Sequence, residues 1–290
     1  MILSRLGIIT DEVSDNFEEA LEWANSHHLT HVELRTINRK NITCLSDEDI
    51  EYVLSLLQKR RLQVSCIASP VFKCSLNPER PVLRGDTFGS NDEDTANHFN
   101  KLRRVIRLAK QMNCKYIRVF SFWREERPQD YTSEIVKYLR CAAEIAQENG
   151  VVLLLENEPT CNGGFAEEVA MLVRTVNSPA LRVLWDPGNE VYGGRQAYPE
   201  GYKFVKDLIS HVHLKDVGHD REQHVQCLPI GRGLVPYVEH LIALQEHGYS
   251  GLFTLETHYV PSNGTRKHGS ELALEGIIGI DKHITSWQSH

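Results

Sequence analysis

The chain has 290 residues, with 32 Lys and Arg against 39 Asp and Glu, which gives a net charge of −7 with His neutral. Hydrophobic residues make up 41% and charged residues 24%, an ordinary globular balance that excludes intrinsic disorder and collagen-like structure. The acidic excess argues against a general nucleic-acid binder, and no apolar run approaches the roughly 20 residues of a membrane span.

The opening Met1-Ile2-Leu3-Ser4-Arg5 soon meets Asp11 and Glu12 and has no signal-peptide core. Seven cysteines, at positions 44, 66, 74, 114, 141, 161 and 227, lack CxxC spacing. They read as thiols of a reducing cytoplasm and not as a zinc site.

Eight apolar runs follow one another along the chain. They are Leu6–Thr10, His31–Leu34, Gln63–Ala68, Tyr116–Phe120, Val151–Leu155, Arg182–Trp185, His211–Leu214 and Leu252–Leu255. Runs such as Val151-Val152-Leu153-Leu154-Leu155 do not alternate, as expected of strands buried on both faces. Segments of helical period separate them: Phe17–His27, Ser46–Arg60, Asn97–Met112, Ser133–Gln147, Glu167–Val176, Tyr202–Ile209, Pro236–His247 and Gly269–Ile284. Ser14 and Asp15 are candidate caps for the first of these helices. Ser46 with its acidic first turn starts the second, and Pro236 suits a first helical position.

Eight strand–helix units predict an α/β protein, a single-domain (β/α)8 TIM barrel over 1–290. The runner-up is a doubly wound open sheet. That fold usually carries a Gly-rich turn after its first strand, which Thr10-Asp11-Glu12-Val13 does not resemble. The long insert Pro70–Asn97 follows strand three and is expected to lie over the C-terminal face as a functional loop.

In such a barrel the chemistry sits at the C-terminal strand ends. Strands five to eight end in Glu156, Asp186, His213 and Glu256. Three carboxylates together would repel, and a divalent cation resolves the conflict. Oxygen donors with one imidazole suit Mn²⁺ or Mg²⁺, with Zn²⁺, Co²⁺ and Fe²⁺ as alternatives. His213 is preferred to His211 because it lies one pleat nearer the rim.

At these residues the chain resembles the xylose isomerase-like (β/α)8 superfamily, in particular its sugar phosphate isomerase/epimerase group. The resemblance rests on Gly7-Ile8-Ile9-Thr10-Asp11-Glu12, Val32-Glu33-Leu34-Arg35, Glu156-Asn157-Glu158-Pro159, Trp185-Asp186-Pro187-Gly188-Asn189, His213-Leu214-Lys215-Asp216, Pro229-Ile230-Gly231-Arg232-Gly233 and Leu255-Glu256. It implies that Glu156, Asp186, His213 and Glu256 bind one divalent metal. It also implies that Glu156 and Glu256 are the catalytic groups, moving protons on either face of a carbohydrate substrate through an enediolate.

Glu158, Arg232 and Lys215 are candidate substrate-binding residues, and Phe122 and Trp123 are candidate walls of the pocket. The three-metal endonuclease pattern of this superfamily places a His three residues after the strand-six Asp. Asn189 stands there instead, which points to one metal and away from DNA. The activity implied is that of an isomerase or epimerase on a keto-sugar, sugar phosphate or related polyol. The alternatives are a metal-dependent dehydratase of an inosose or dehydroshikimate type and a non-catalytic sugar- or metal-binding barrel. Barrels of this group commonly pair, so the resemblance allows a homodimer, but no surface signal in the sequence decides the oligomeric state.

Overall fold

The computed structural model describes residues 2–91 and 93–287. Eight parallel strands close into a barrel: β1 Leu6–Ile9, β2 His31–Leu34, β3 Gln63–Ile67, β4 Tyr116–Val119, β5 Val152–Glu156, β6 Leu181–Trp185, β7 Ile209–Leu214 and β8 Phe253–Leu255. Each strand pairs with its sequence neighbours, and β8 closes on β1 with Leu6 opposite Phe253. The closed sheet is the predicted one, and no Gly-rich phosphate turn follows β1.

The surrounding helices are α1 Phe17–Ser26, α2 Asp47–Arg60, α3 Thr95–Gln111, α4 Thr132–Glu148, α5 Ala166–Val176, α6 Pro187–Tyr192, α7 Tyr202–Val205, α8 Tyr237–Glu246 and α9 Arg266–Trp287. Ser46 forms a full capping box with Asp49 at the start of α2. At α1 the cap is Asn16, whose side chain accepts from the Glu19 N–H, and not Ser14 or Asp15. Pro236 stands at the cap before α8 and not in its first turn.

The sixth unit differs most from expectation. Its helical stretch is split, because Gly193 and Gly194 end α6 and α7 stops at Val205, short of the predicted Ile209. Ile209 opens β7, where its apolar side chain is buried.

Side chains two apart on a strand share a face, and this places the site. Inside the barrel, Cys66, Leu154 and Leu184 pack into a small apolar floor. Two residues further along their strands come Glu156 and Asp186. The opposite faces of the strands join the large core against the helices, where Ile8, Val32, Ile67, Leu153, Val183, Val212 and Leu255 are buried. The β3–β4 ladder is short, with Ile67 opposite Ile117. Arg118 strengthens that seam by donating to the Ala68 and Ser69 carbonyls at 3.2 and 3.4 Å.

Candidate functional site

Glu156, Asp186, His213 and Glu256 converge at the C-terminal end of the barrel, all buried. One ligand atom from each lies within 4.8 Å of all the others. Asp186 reaches this position because it caps α6: its Oδ1 accepts from the Asn189 N–H at 3.0 Å. Gly188 lets that helix start close to β7, since a Cβ there would stand 2.4 Å from the Lys215 carbonyl oxygen. Asn189 uses its side chain to donate to the Asn157 carbonyl at 2.9 Å and makes no approach to the cluster.

His213 is held from both sides. Its Nδ1 donates to Glu156 Oε1 at 3.2 Å and Glu256 Oε2 at 3.1 Å, and its Nε2 donates to Glu33 Oε1 at 3.1 Å. The other oxygen of Glu33 accepts from His211 Nε2 at 3.0 Å, with Thr254 Oγ1 2.9 Å from the same nitrogen. His211 therefore sits one pleat deeper, as expected, and Glu33 ties the two rings together. Burial disfavours the charged His213 ring, but Glu33 and Glu256 overcome it and hold its pKa well above the ordinary value. Glu33 is the converse: burial raises its carboxyl, and His213 and His211 pull it below the usual carboxylate range.

Three buried cations also face the cluster. Arg35 binds Asp11 through Nε at 2.9 Å, Glu256 through Nη1 at 2.9 Å, and Glu12 through Nη2. Arg118 Nη1 lies 3.2 Å from Glu156 and 3.3 Å from Glu256. Lys215 Nζ lies 2.8 Å from Asp186 Oδ2 and 3.1 Å from Glu256 Oε2. Like-charge repulsion among the acids is thus already relieved by the protein itself.

The result is uneven. Burial works to raise the Glu256 carboxyl, yet Lys215, His213 and His258 hold it well below the ordinary range. For Asp186 burial wins over Lys215, with Glu256 and Glu156 adding to it, and the pKa rises to about 6.

The donor set fits one divalent cation. Oxygen and imidazole ligands at about 2.1 Å from an ion stand up to roughly 4 Å apart, close to the spacing here. Asp186 Oδ2 is buried without a hydrogen bond of usable geometry, despite its closeness to Lys215. The carboxylate behind His213 orients the ring so that Nδ1 faces the other three donors, a usual support for a metal-binding histidine.

The remaining predicted residues lie apart from this cluster. Glu158 sits on the rim, 3.2 Å from Lys73 Nζ; burial raises its carboxyl, but Lys73 and Lys215 bring it below its ordinary value. Arg232 is exposed on the loop after β7. Asp216, beside Lys215, faces the other way and accepts the N–H groups of Val217, Gly231, Gly233 and Val235, which shapes that loop. Trp123 packs with Phe120 and Cys161 near Lys73, whereas Phe122 packs behind against Phe72 and Tyr138.

Glu33, Arg35, Arg118, Lys73 and Phe88 were not singled out from sequence. Phe88, from the insert, covers the mouth. Its ring centroid lies 4.2 Å from the Arg35 guanidinium carbon, 5.1 Å from Lys73 Nζ and 5.7 Å from the Arg118 guanidinium carbon. Outside it is a cavity of about 450 Å³ lined by Glu12, Arg35, Phe88, His258, Arg39 and Arg266 among others, and by none of the four cluster residues. No helix among the described residues is long and apolar enough to cross a membrane.

Known proteins share this arrangement of elements. The chain is 26% identical over 220 residues to an uncharacterized protein of Methanocaldococcus jannaschii, covering 73% of this chain and 70% of that protein. It is 27% identical over 207 residues to an inosose dehydratase of Geobacillus kaustophilus, covering 61% of this chain and 67% of that enzyme. The solved structure of the IOLI protein with a bound zinc atom superposes with a TM-score of 0.75 at 19% identity, over 95% of this chain and 97% of that one. The family described as "Xylose isomerase-like TIM barrel" matches residues 13–278, and the chain belongs to that family.

Proposed function

We propose that this protein is a divalent-metal-dependent isomerase or epimerase that removes a proton beside the carbonyl of a keto-sugar, sugar phosphate or related polyol. The observation that carries this reading is the buried set of three carboxylates and His213 with donor atoms within 4.8 Å of one another. Glu156, Asp186, Glu256 and His213 Nδ1 would hold the ion. When bound, it would polarise the substrate carbonyl and acidify the neighbouring C–H.

The chain's own groups supply the rest. Glu156 has fewer cationic partners than Glu256, touching Arg118 and His213. It is the freer carboxylate and takes the proton. Glu256, fastened by Arg35, Arg118, Lys215 and His213, is the weaker base, suited to binding the ion and to returning a proton from the other side. Phe88 over the mouth keeps water from the carbanion.

A dehydratase is the second reading, favoured by one specific feature. The Lys215 ammonium lies at the cluster, 2.8 Å from Asp186 Oδ2 and 3.1 Å from Glu256 Oε2, where it can give up a proton. After Glu156 takes the α-proton, the electron pair forms a C=C bond, the β C–O bond breaks, and Lys215 gives its proton to the leaving hydroxyl as water. The similarity to an inosose dehydratase supports the same alternative.

One experiment decides. Metal-loaded protein is incubated in D₂O with a panel of keto-sugars and inososes. Deuterium at the α-carbon is expected in wild type and its loss in Glu156→Gln. A growing ultraviolet enone band marks elimination; a new sugar isomer without it marks isomerisation. No exchange with any substrate, in protein that binds metal, would leave a non-catalytic binding barrel.

A further inference from the structure

The three cations at the cluster are not equivalent. Arg35 is anchored away from the four donor residues by Asp11 and Glu12, and Arg118 by the carbonyls of Ala68 and Ser69. Lys215 has no such anchor. Among the described residues, its ammonium has two ion-pair partners, Asp186 Oδ2 at 2.8 Å and Glu256 Oε2 at 3.1 Å, and both are proposed metal ligands. Its contact with Asp186 lacks hydrogen-bond geometry, so Asp186 Oδ2 remains unsatisfied although fully buried.

We propose that the Lys215 ammonium is a resident stand-in for the divalent ion, occupying the cation position between Asp186 and Glu256 and leaving it when the ion binds. The inference rests on the metal-site reading above. A buried carboxylate pair left without a counter-charge is costly, and an ammonium on a flexible stem is the least demanding cation to place there. There it balances the charge of the two carboxylates.

Once its two acceptors are engaged by the ion, the ammonium stays tethered at the mouth by its own side chain, because β7 fixes its backbone and Tyr237 caps its carbonyl at 2.8 Å. Glu158 on the rim, which already feels the Lys215 charge, and a hydroxyl or carbonyl oxygen of a bound substrate are then acceptors for it. Loading the cage thus turns Lys215 from an internal counter-ion into a hydrogen-bond donor toward substrate.

The test is metal binding by the full chain, measured by calorimetry with Mn²⁺ after chelator treatment, for wild type, Lys215→Met and Lys215→Arg. Removing the competitor should tighten Mn²⁺ binding in Lys215→Met by about tenfold or more, while Lys215→Arg, which keeps the charge, binds no tighter than wild type. Equal or weaker binding by Lys215→Met overturns the proposal.

Crystals of wild type grown with Mn²⁺ give a second reading that needs no variant. Nζ should stand more than about 4 Å from Asp186 Oδ2, beyond ion-pair range. An Nζ still near 2.8 Å with the ion bound overturns the proposal. If wild type binds no divalent ion at all, the metal-site reading fails with it. If it binds and Lys215→Met is unchanged, only the role of Lys215 fails.

Discussion

Glu33 is the deepest polar anchor of the site, and Glu33→Gln tests its role with no change of volume. The carboxylate, both histidine rings and their contacts are fully buried, with His211 Nε2 at 3.0 Å and His213 Nε2 at 3.1 Å. An amide has one acceptor oxygen, so one ring N–H would face an NH₂ group and lose that contact, with Thr254 Oγ1 still 2.9 Å from Nε2 if the ring is His211. The other bond survives but loses its charge assistance. A hydrogen bond to a charged group contributes about 1.5–3 kcal/mol, so losing one and weakening the other costs about 2–4 kcal/mol.

For a chain of this size each kcal/mol moves the melting temperature by roughly 2 °C, which predicts a drop of about 4–8 °C. The pH of the assay matters. Glu33 has a depressed folded pKa, so its contribution is complete above the ordinary value of 4.5 and lost as pH falls through the folded value. His213 has a raised folded pKa, so its contribution is complete below the ordinary value of 6.5 and lost as pH rises through the folded value. Differential scanning calorimetry of metal-free protein near pH 6, a value inside this window, should therefore show the full effect. A drop smaller than about 1 °C would refute the idea that Glu33 holds the two rings.

Two further outcomes follow from the same geometry. Divalent-ion affinity should fall as pH drops through about 6, because burial has raised Asp186 to that value and its protonation removes one donor; calorimetric titrations flat between pH values well above and well below it would contradict this. Gly188→Ala should destabilise the protein by about 1–3 kcal/mol and weaken metal binding, because the new Cβ meets the Lys215 carbonyl and pushes the Asp186 cap outward; a variant that melts like wild type would show that α6 has room to shift.

The barrel was legible because strands buried on both faces leave uninterrupted apolar runs, and Glu156, Asp186 and Glu256 because each follows directly on such a run, whereas His213 stands inside one, near its end. Glu33 and Arg118 were hidden by the same logic. Each is a single charge inside a short strand, His31-Val32-Glu33-Leu34 and Tyr116-Ile117-Arg118-Val119, where apolar neighbours dominate the pattern. A charge in a doubly buried strand was itself the signal, since it needs an interior partner. Arg35 belonged to a quoted motif but had no visible partner until Glu256, 221 positions away, was brought beside it. Phe88 could not be placed at all, because the path of a long insert is set by tertiary contacts. No helix was read from the sequence at Pro187–Tyr192, although Pro suits a first helical turn.

The half-buried ring of Phe88 stands between the outer cavity and the buried donors, held by several contacts. Asn41 donates to the Phe88 carbonyl at 3.1 Å, Lys73 donates to the Asp86 carbonyl at 3.0 Å, and the ring lies over Arg35, Lys73 and Arg118 and stacks on His258. Each contact is worth about 0.5–1.5 kcal/mol, and four of these six run through the ring itself. A substrate that enters from the outer cavity therefore has to displace one aromatic ring, and it exchanges that ring's hold on Arg35, Lys73 and Arg118 for its own.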